Sequence, residues 1–133
     1  MIERAGAEGR TLVISKSLGT IRRFREVSDG RVATGASMVE LVVFDLLRRL
    51  HLSGLLKPSY QALQGPEVYQ ILGAVSLHVV TSAFIQAAHE QGIRVDVWTV
   101  NSEPDMRRLL EMGVDGIITD RPDVLAQVLK GDS

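Results

Sequence analysis

Apolar residues recur along this chain in two rhythms. Short apolar runs bounded by glycine or polar turns read as buried strands, and longer stretches with apolar residues every third or fourth position read as helices. Thr11 to Ser15, TLVIS, is the first run. LGTIRRFREV then sets Leu18, Ile21, Phe24 and Val27 at helical spacing with Arg22, Arg23 and Arg25 between them, and Ser28-Asp29-Gly30 stops it as a turn. RVATGA is a second, weaker strand. From Met38 to Leu52 the period is helical again. Val42, Val43, Leu46, Leu47 and Leu50 share a face there, expected to be the buried one. Leu41 and Phe44 fall on the more polar side as stray surface residues.

Gln61 to Leu63 reads as a short strand ended by Gly65 and Pro66. TSAFIQAAHEQG is a helix capped by Thr81 or Ser82 and stopped by Gly92. VDVWTV is the next strand, EPDMRRLLEMG the next helix, GIITD another strand, and RPDVLAQVLK a last helix with Pro122 in its first turn. Strands and helices therefore alternate. Parallel strands need a crossover, and helices supply it while covering the sheet, so the expected class is α/β, built of parallel βαβ units.

Composition narrows the function more than the fold. With 133 residues, 45% hydrophobic and 23% charged, the chain can bury one core. Fifteen Lys and Arg nearly cancel sixteen Asp and Glu, so the chain-wide balance points neither to nucleic acid nor to an anionic membrane. There is no cysteine, which removes disulfides and thiolate metal sites. The opening residues MIERAGAEGR lack the apolar stretch of a signal peptide, and no segment approaches the roughly 20 apolar residues of a membrane span. A cytoplasmic location is expected.

In α/β sheets, chemistry gathers at the carboxyl ends of the strands. That rule selects Ser15 with Lys16, Thr34 with Gly35, Gln64, Trp98 through Asn101, and Thr119 with Asp120. Within VDVWTV, side chains alternate, so Val95, Val97 and Thr99 face the helices while Arg94, Asp96 and Trp98 face the other way. Asp96 and Arg94 can pair there, with the lone tryptophan at the rim. Ser102 is expected to cap the next helix, whose positive end would suit an anion. His51 and His89 lie at helix ends and His78 in a loop, without the spacing that sets two metal ligands on one helical face.

The stretch GIRVDVWTVNSEPDMRRLLEMGVDGIITDRPDVL, Gly92 to Leu125, resembles the C-terminal signature of the glycerophosphodiester phosphodiesterase family. YQALQGPEVY, HVVTSAFIQAAHEQG and TLVISKSLGTIRRFREV resemble the elements that precede it. The resemblance implies a TIM barrel, and hydrolysis of glycerophosphodiesters to glycerol 3-phosphate and an alcohol with a divalent cation, calcium or magnesium. It also implies that Trp98 lines the mouth of the site, with Asn101, Gln64, Ser15 and Asp120 as further substrate-side candidates. The family's His-Arg-Gly, His-Asp and Glu-x-Lys motifs are absent, and the single Glu-x-Asp, Glu103 to Asp105, opens a late helix. Residues 1–133 thus match the C-terminal half of a barrel that takes about 250 residues in full. No catalytic residue, metal ligand or cofactor is expected in this chain alone. An open half barrel exposes strand edges and an apolar inner face, so a homodimer that closes the barrel, or a complementing N-terminal half, is the expected partner besides the glycerophosphodiester.

Overall fold

The computed structural model describes residues 1–71 and 75–131. The chain divides into two compact units, Met1–Leu63 and Gln64–Ser133.

In the first unit, β1 (Leu12–Val13) and β2 (Ala33–Thr34) are paired in parallel, Leu12 opposite Ala33 and Val13 opposite Thr34. Between them runs α1 (Leu18–Val27), whose first turn is closed by the Ser17 hydroxyl accepting the Thr20 N–H. After β2 comes α2 (Met38–Arg49), which opens with a reciprocal cap: Ser37 accepts from the Glu40 N–H while the Glu40 carboxylate accepts from the Ser37 N–H. The hub of this unit is Arg25 on α1. It donates to the Thr34 hydroxyl at 2.8 Å, to the Gly35 carbonyl at 3.2 Å, and with both terminal nitrogens to Glu40 at 2.6 and 3.2 Å. One guanidinium thereby ties both helices to the second strand.

The buried face of α2 is the reverse of the one its apolar spacing predicts. Leu41, Phe44 and Asp45 are buried, whereas Val39, Val42, Val43, Leu46 and Leu50 are between 40% and 56% exposed. Apolar residues occupy opposite sides of this helix, so periodicity alone cannot choose between them. The charges decide. Glu40 is held by Arg25 and Ser37, and Asp45 accepts from Arg48 at 2.8 and 3.1 Å and from Arg49 at 2.7 Å. A paired carboxylate can be buried, and here two of them mark the inner side rather than solvent.

The strand expected at Gln61 to Leu63 is β3 (Ala62–Gly65), which continues through Gly65. Its first residues belong to the first unit, where Ala62 bridges to Gly35 in parallel. In the second unit, β4 (Val68–Ile71) and β5 (Val75–His78) form an antiparallel pair, Val68 opposite His78. This departs from the expected all-parallel pattern, and His78 closes a strand rather than lying in a loop. Then α3 (Ser82–Glu90) begins under Thr81, which accepts the Phe84 N–H at 3.2 Å. β6 (Arg94–Val97) and β7 (Gly116–Ile117) pair in parallel on either side of α4 (Glu103–Met112), and α5 (Pro122–Gly131) packs on α4. Gly113 ends α4 at φ 94°, a left-handed cap that L side chains rarely adopt. The core here is Val95, Val97, Phe84, Met106, Leu109 and Val128, each at most 1% exposed.

Asp115, just before β7, joins three elements. It accepts the Val95 N–H at 2.8 Å and lies 2.8 Å from His89 Nε2. Burial pushes its pKa up, but the Val95 N–H and the His89 ring outweigh that and hold it below its ordinary 3.8. Burial likewise pushes Glu40 up, yet Arg25 and Ser37 keep it below 4.5. A depressed carboxyl stabilises the folded chain fully above its unfolded pKa and loses that contribution as pH falls through the lower folded value. Unfolding free energy is therefore expected to drop on the acid side of these ordinary values, and Asp115→Asn to flatten that slope when unfolding is followed against pH. The two faces of α2 are separable by urea unfolding. Phe44→Ala should cost about 3–5 kcal/mol, and Leu46→Ala no more than about 0.5 kcal/mol.

Candidate functional site

The second unit gathers most of the candidate residues around the carboxyl end of β6. Alternation along this strand works as expected: Val95 and Val97 are buried among the helices, and Asp96 turns to the other side, where it is 5% exposed. A carboxylate that deep must be bonded. Arg94 donates to its Oδ1 at 3.1 Å, which is the expected pair, and Gln64 Nε2 donates to its Oδ2 at 2.7 Å. Gly116 lies opposite Asp96 in β7, and a Cβ there would collide with the carboxylate. Only glycine leaves room for the charge, a constraint that spacing alone does not reveal.

Beyond β6 the backbone remains tied on both sides. The Trp98 N–H donates to the Gly65 carbonyl, and the Val100 N–H to the Ile118 carbonyl, each at 3.1 Å. The Trp98–Thr99 peptide bond is cis. Asn101 then spans to the loop after β7: its Oδ1 accepts the Thr119 hydroxyl at 3.0 Å and the Asp120 N–H at 2.9 Å, and its Nδ2 donates to the Asp120 carboxylate at 3.1 Å. Both ends of one amide thus fasten two strand-end loops together.

A cavity of about 460 Å³ opens here, lined by Pro66, Glu67, Trp98, Asn101, Ser102 and Asp105 among others. Its charged wall is acidic. Arg108 braces it by donating to Glu67 at 2.9 and 2.8 Å and to Asp105 at 3.0 Å. These bonds from Arg108, with one from the Ser102 hydroxyl, hold the Asp105 carboxyl below its ordinary range. Ser102 therefore donates to a side chain instead of capping α4 with its own oxygen, correcting the expected cap. Pro104 in the first turn also removes one of the backbone donors such a cap serves. An anion expected at this helix terminus would meet two carboxylates first.

Of the five candidates, Trp98 and Asn101 line the cavity, Asp120 is bonded to Asn101, and Gln64 is committed to Asp96. Ser15 belongs to the first unit, where its hydroxyl accepts the Ser17 N–H at 3.2 Å. Among the described residues no group of three His, Asp or Glu could hold a metal ion. Asp96, the deepest acid, already gives one oxygen to Arg94 and the other to Gln64. The donor set does not fit a divalent cation.

The "Glycerophosphoryl diester phosphodiesterase family" matches residues 5–124. The chain belongs to this family. It is 36% identical over 132 residues to the "Probable glycerophosphodiester phosphodiesterase 2" of Mycobacterium tuberculosis, covering 97% of this chain and 48% of that protein. It is 32% identical over 85 residues to a glycerophosphodiester phosphodiesterase of Caldanaerobacter subterraneus, covering 61% of this chain and 32% of the relative. The crystal structure of a glycerophosphodiester phosphodiesterase from Parabacteroides distasonis superposes with a TM-score of 0.66 at 20% identity, over 98% of this chain and 48% of that one. The chain thus spans half or less of the length of these relatives. Its fold class is the family's α/β class, a part of a TIM barrel, with the β4–β5 pair as an antiparallel addition.

Removing the partner of a buried acid tests how this strand-end wall is built. Gln64→Leu leaves Asp96 Oδ2 without its donor and should cost about 1–3 kcal/mol in urea unfolding.

Proposed function

We propose that residues 1–133 supply the C-terminal wall of a glycerophosphodiester phosphodiesterase site, acting in lipid metabolism on glycerophosphodiesters. In this reading the catalytic histidines and metal-binding carboxylates come from another segment, on the same polypeptide or a separate one. The observation that carries it is the cavity at the end of β6, lined by Trp98 and Asn101 in a chain of this family whose described residues include no group that could hold a cation.

The wall's chemistry favours the neutral end of the substrate. Glu67 and Asp105 accept hydrogen bonds and repel phosphate, whereas the hydroxyls of glycerol or of a leaving alcohol donate to carboxylates, and Trp98 offers an apolar flank to their carbons. Asn101, fixed by Thr119 and Asp120, keeps the neighbouring loop in place. The phosphate and its divalent cation, calcium or magnesium, would then lie toward the complementing segment, where charge developing in the transition state is stabilised.

The purified chain mixed with glycerophosphocholine and either cation is expected to show no hydrolysis. Turnover abolished by a chelator would overturn the proposal. Adding the N-terminal half of the Mycobacterium tuberculosis relative is expected to restore activity, and Trp98→Ala in that reconstituted enzyme to raise KM roughly tenfold with kcat little changed, as loss of uniform binding does.

A further inference from the structure

The near-neutral charge of the whole chain conceals a segregation. Met1–Leu63 holds ten Arg and Lys against six Asp and Glu, and Gln64–Ser133 holds five against ten. The basic unit is also the one with the large exposed apolar face. Val39, Val42, Val43, Leu46 and Leu50 fall within about 100° of arc on α2, opposite the buried Leu41, Phe44 and Asp45. Leu55, in the connector that follows, is 75% exposed.

This face continues into a cleft of about 270 Å³ where Val39 and Val43 meet Leu18, Leu56, Arg22 and Lys57. Neither the Arg22 nor the Lys57 side chain has an ion pair or hydrogen bond among the described residues. The acid in the cleft, Glu40, is already neutralised by Arg25. The other acid of α2, Asp45, is committed to Arg48 and Arg49. The exposed side of α2 therefore presents apolar side chains, and the cleft beside it adds two unpaired cations from α1 and the connector that follows α2, with no free carboxylate.

We infer that α2 and the cleft beside it form a docking surface for an anionic lipid bilayer. The apolar stripe lies in the plane of the interface, and Arg22 and Lys57 meet lipid phosphates at its edge. A second copy fits less well, because the carboxylates of α2 are already engaged and cannot receive the copy's cations. No helix among the described residues is long and apolar enough to cross a membrane, so the attachment is peripheral and reversible. It stands independently of the reading of the β6 cavity.

Co-sedimentation of the full chain with vesicles of phosphatidylcholine, with and without phosphatidylglycerol, tests this. Binding is expected only with phosphatidylglycerol and to weaken as salt is raised. Arg22→Glu with Lys57→Glu, both on exposed positions, should lower partitioning roughly tenfold or more. Leu46→Asp should lower it at least as far while the far-ultraviolet circular dichroism stays unchanged. Equal binding to both vesicle types, or no binding to either, would overturn the inference. So would a concentration-dependent dimer in light scattering that Leu46→Asp dissociates, since that assigns the face to a second copy.

Discussion

The strand ends of the second unit are organised by one buried carboxylate. Asp96 sits 5% exposed, and an unpaired charge there would cost more than its strand could recover. Three features of the sequence answer that cost. Arg94, two residues earlier on the same side of β6, supplies a positive charge; Gln64, at the end of β3, supplies a second donor; and Gly116 leaves the space the carboxylate fills. Because these groups come from β3, β6 and β7, satisfying Asp96 also fixes those backbones beside one another. Trp98, two positions on from Asp96, then emerges at the mouth of the cavity.

Arg25 plays the corresponding part in the first unit, and its consequence reaches further. By drawing Glu40 inward, it fixes the rotation of α2 about its axis. The reciprocal cap at Ser37 and the pairing of Asp45 with Arg48 and Arg49 hold the same rotation. With that face inside, Val39, Val42, Val43, Leu46 and Leu50 have no place but the surface. The exposed apolar stripe is a by-product of electrostatic satisfaction as much as of apolar patterning.

This explains which parts of the molecule were legible in the sequence. Most strand and helix positions were, because Gly30, Thr81 and Gly92 mark helix ends chemically and the apolar runs between helices are short. The alternation through β6 correctly placed Arg94 beside Asp96. The orientation of α2 was not legible, since a charge counted as solvent-facing becomes inward-facing once a partner fifteen residues away is known, as with Arg25 and Glu40. The β4–β5 pair escaped because the parallel scheme gave Val68–Ile71 and Val75–His78 no element of their own and placed His78 in a loop. At the cavity, strand-end logic had selected Trp98 and Asn101, and both line it. The bracing of Glu67 and Asp105 by Arg108 was missed, because its partners lie forty-one and three residues away.

That missed ion pair alters what the cavity can accept. A helix terminus beside an aromatic ring invites an anion when only the backbone dipole is considered. Here the terminus has a proline in its first turn and Asp105 bonded to the serine that would have capped it. Arg108 is spent on two carboxylates, and the shared bonds with Glu67 and then Asp105 bind its proton more firmly than usual, so it is no free cation for a phosphate. A wall built this way discriminates by hydrogen-bond direction. Its carboxylates suit hydrogen-bond donors such as hydroxyls better than an anion. On the proposed reading, specificity for the alcohol end and chemistry at the phosphorus would come from different stretches of chain, the first of them within residues 64–108.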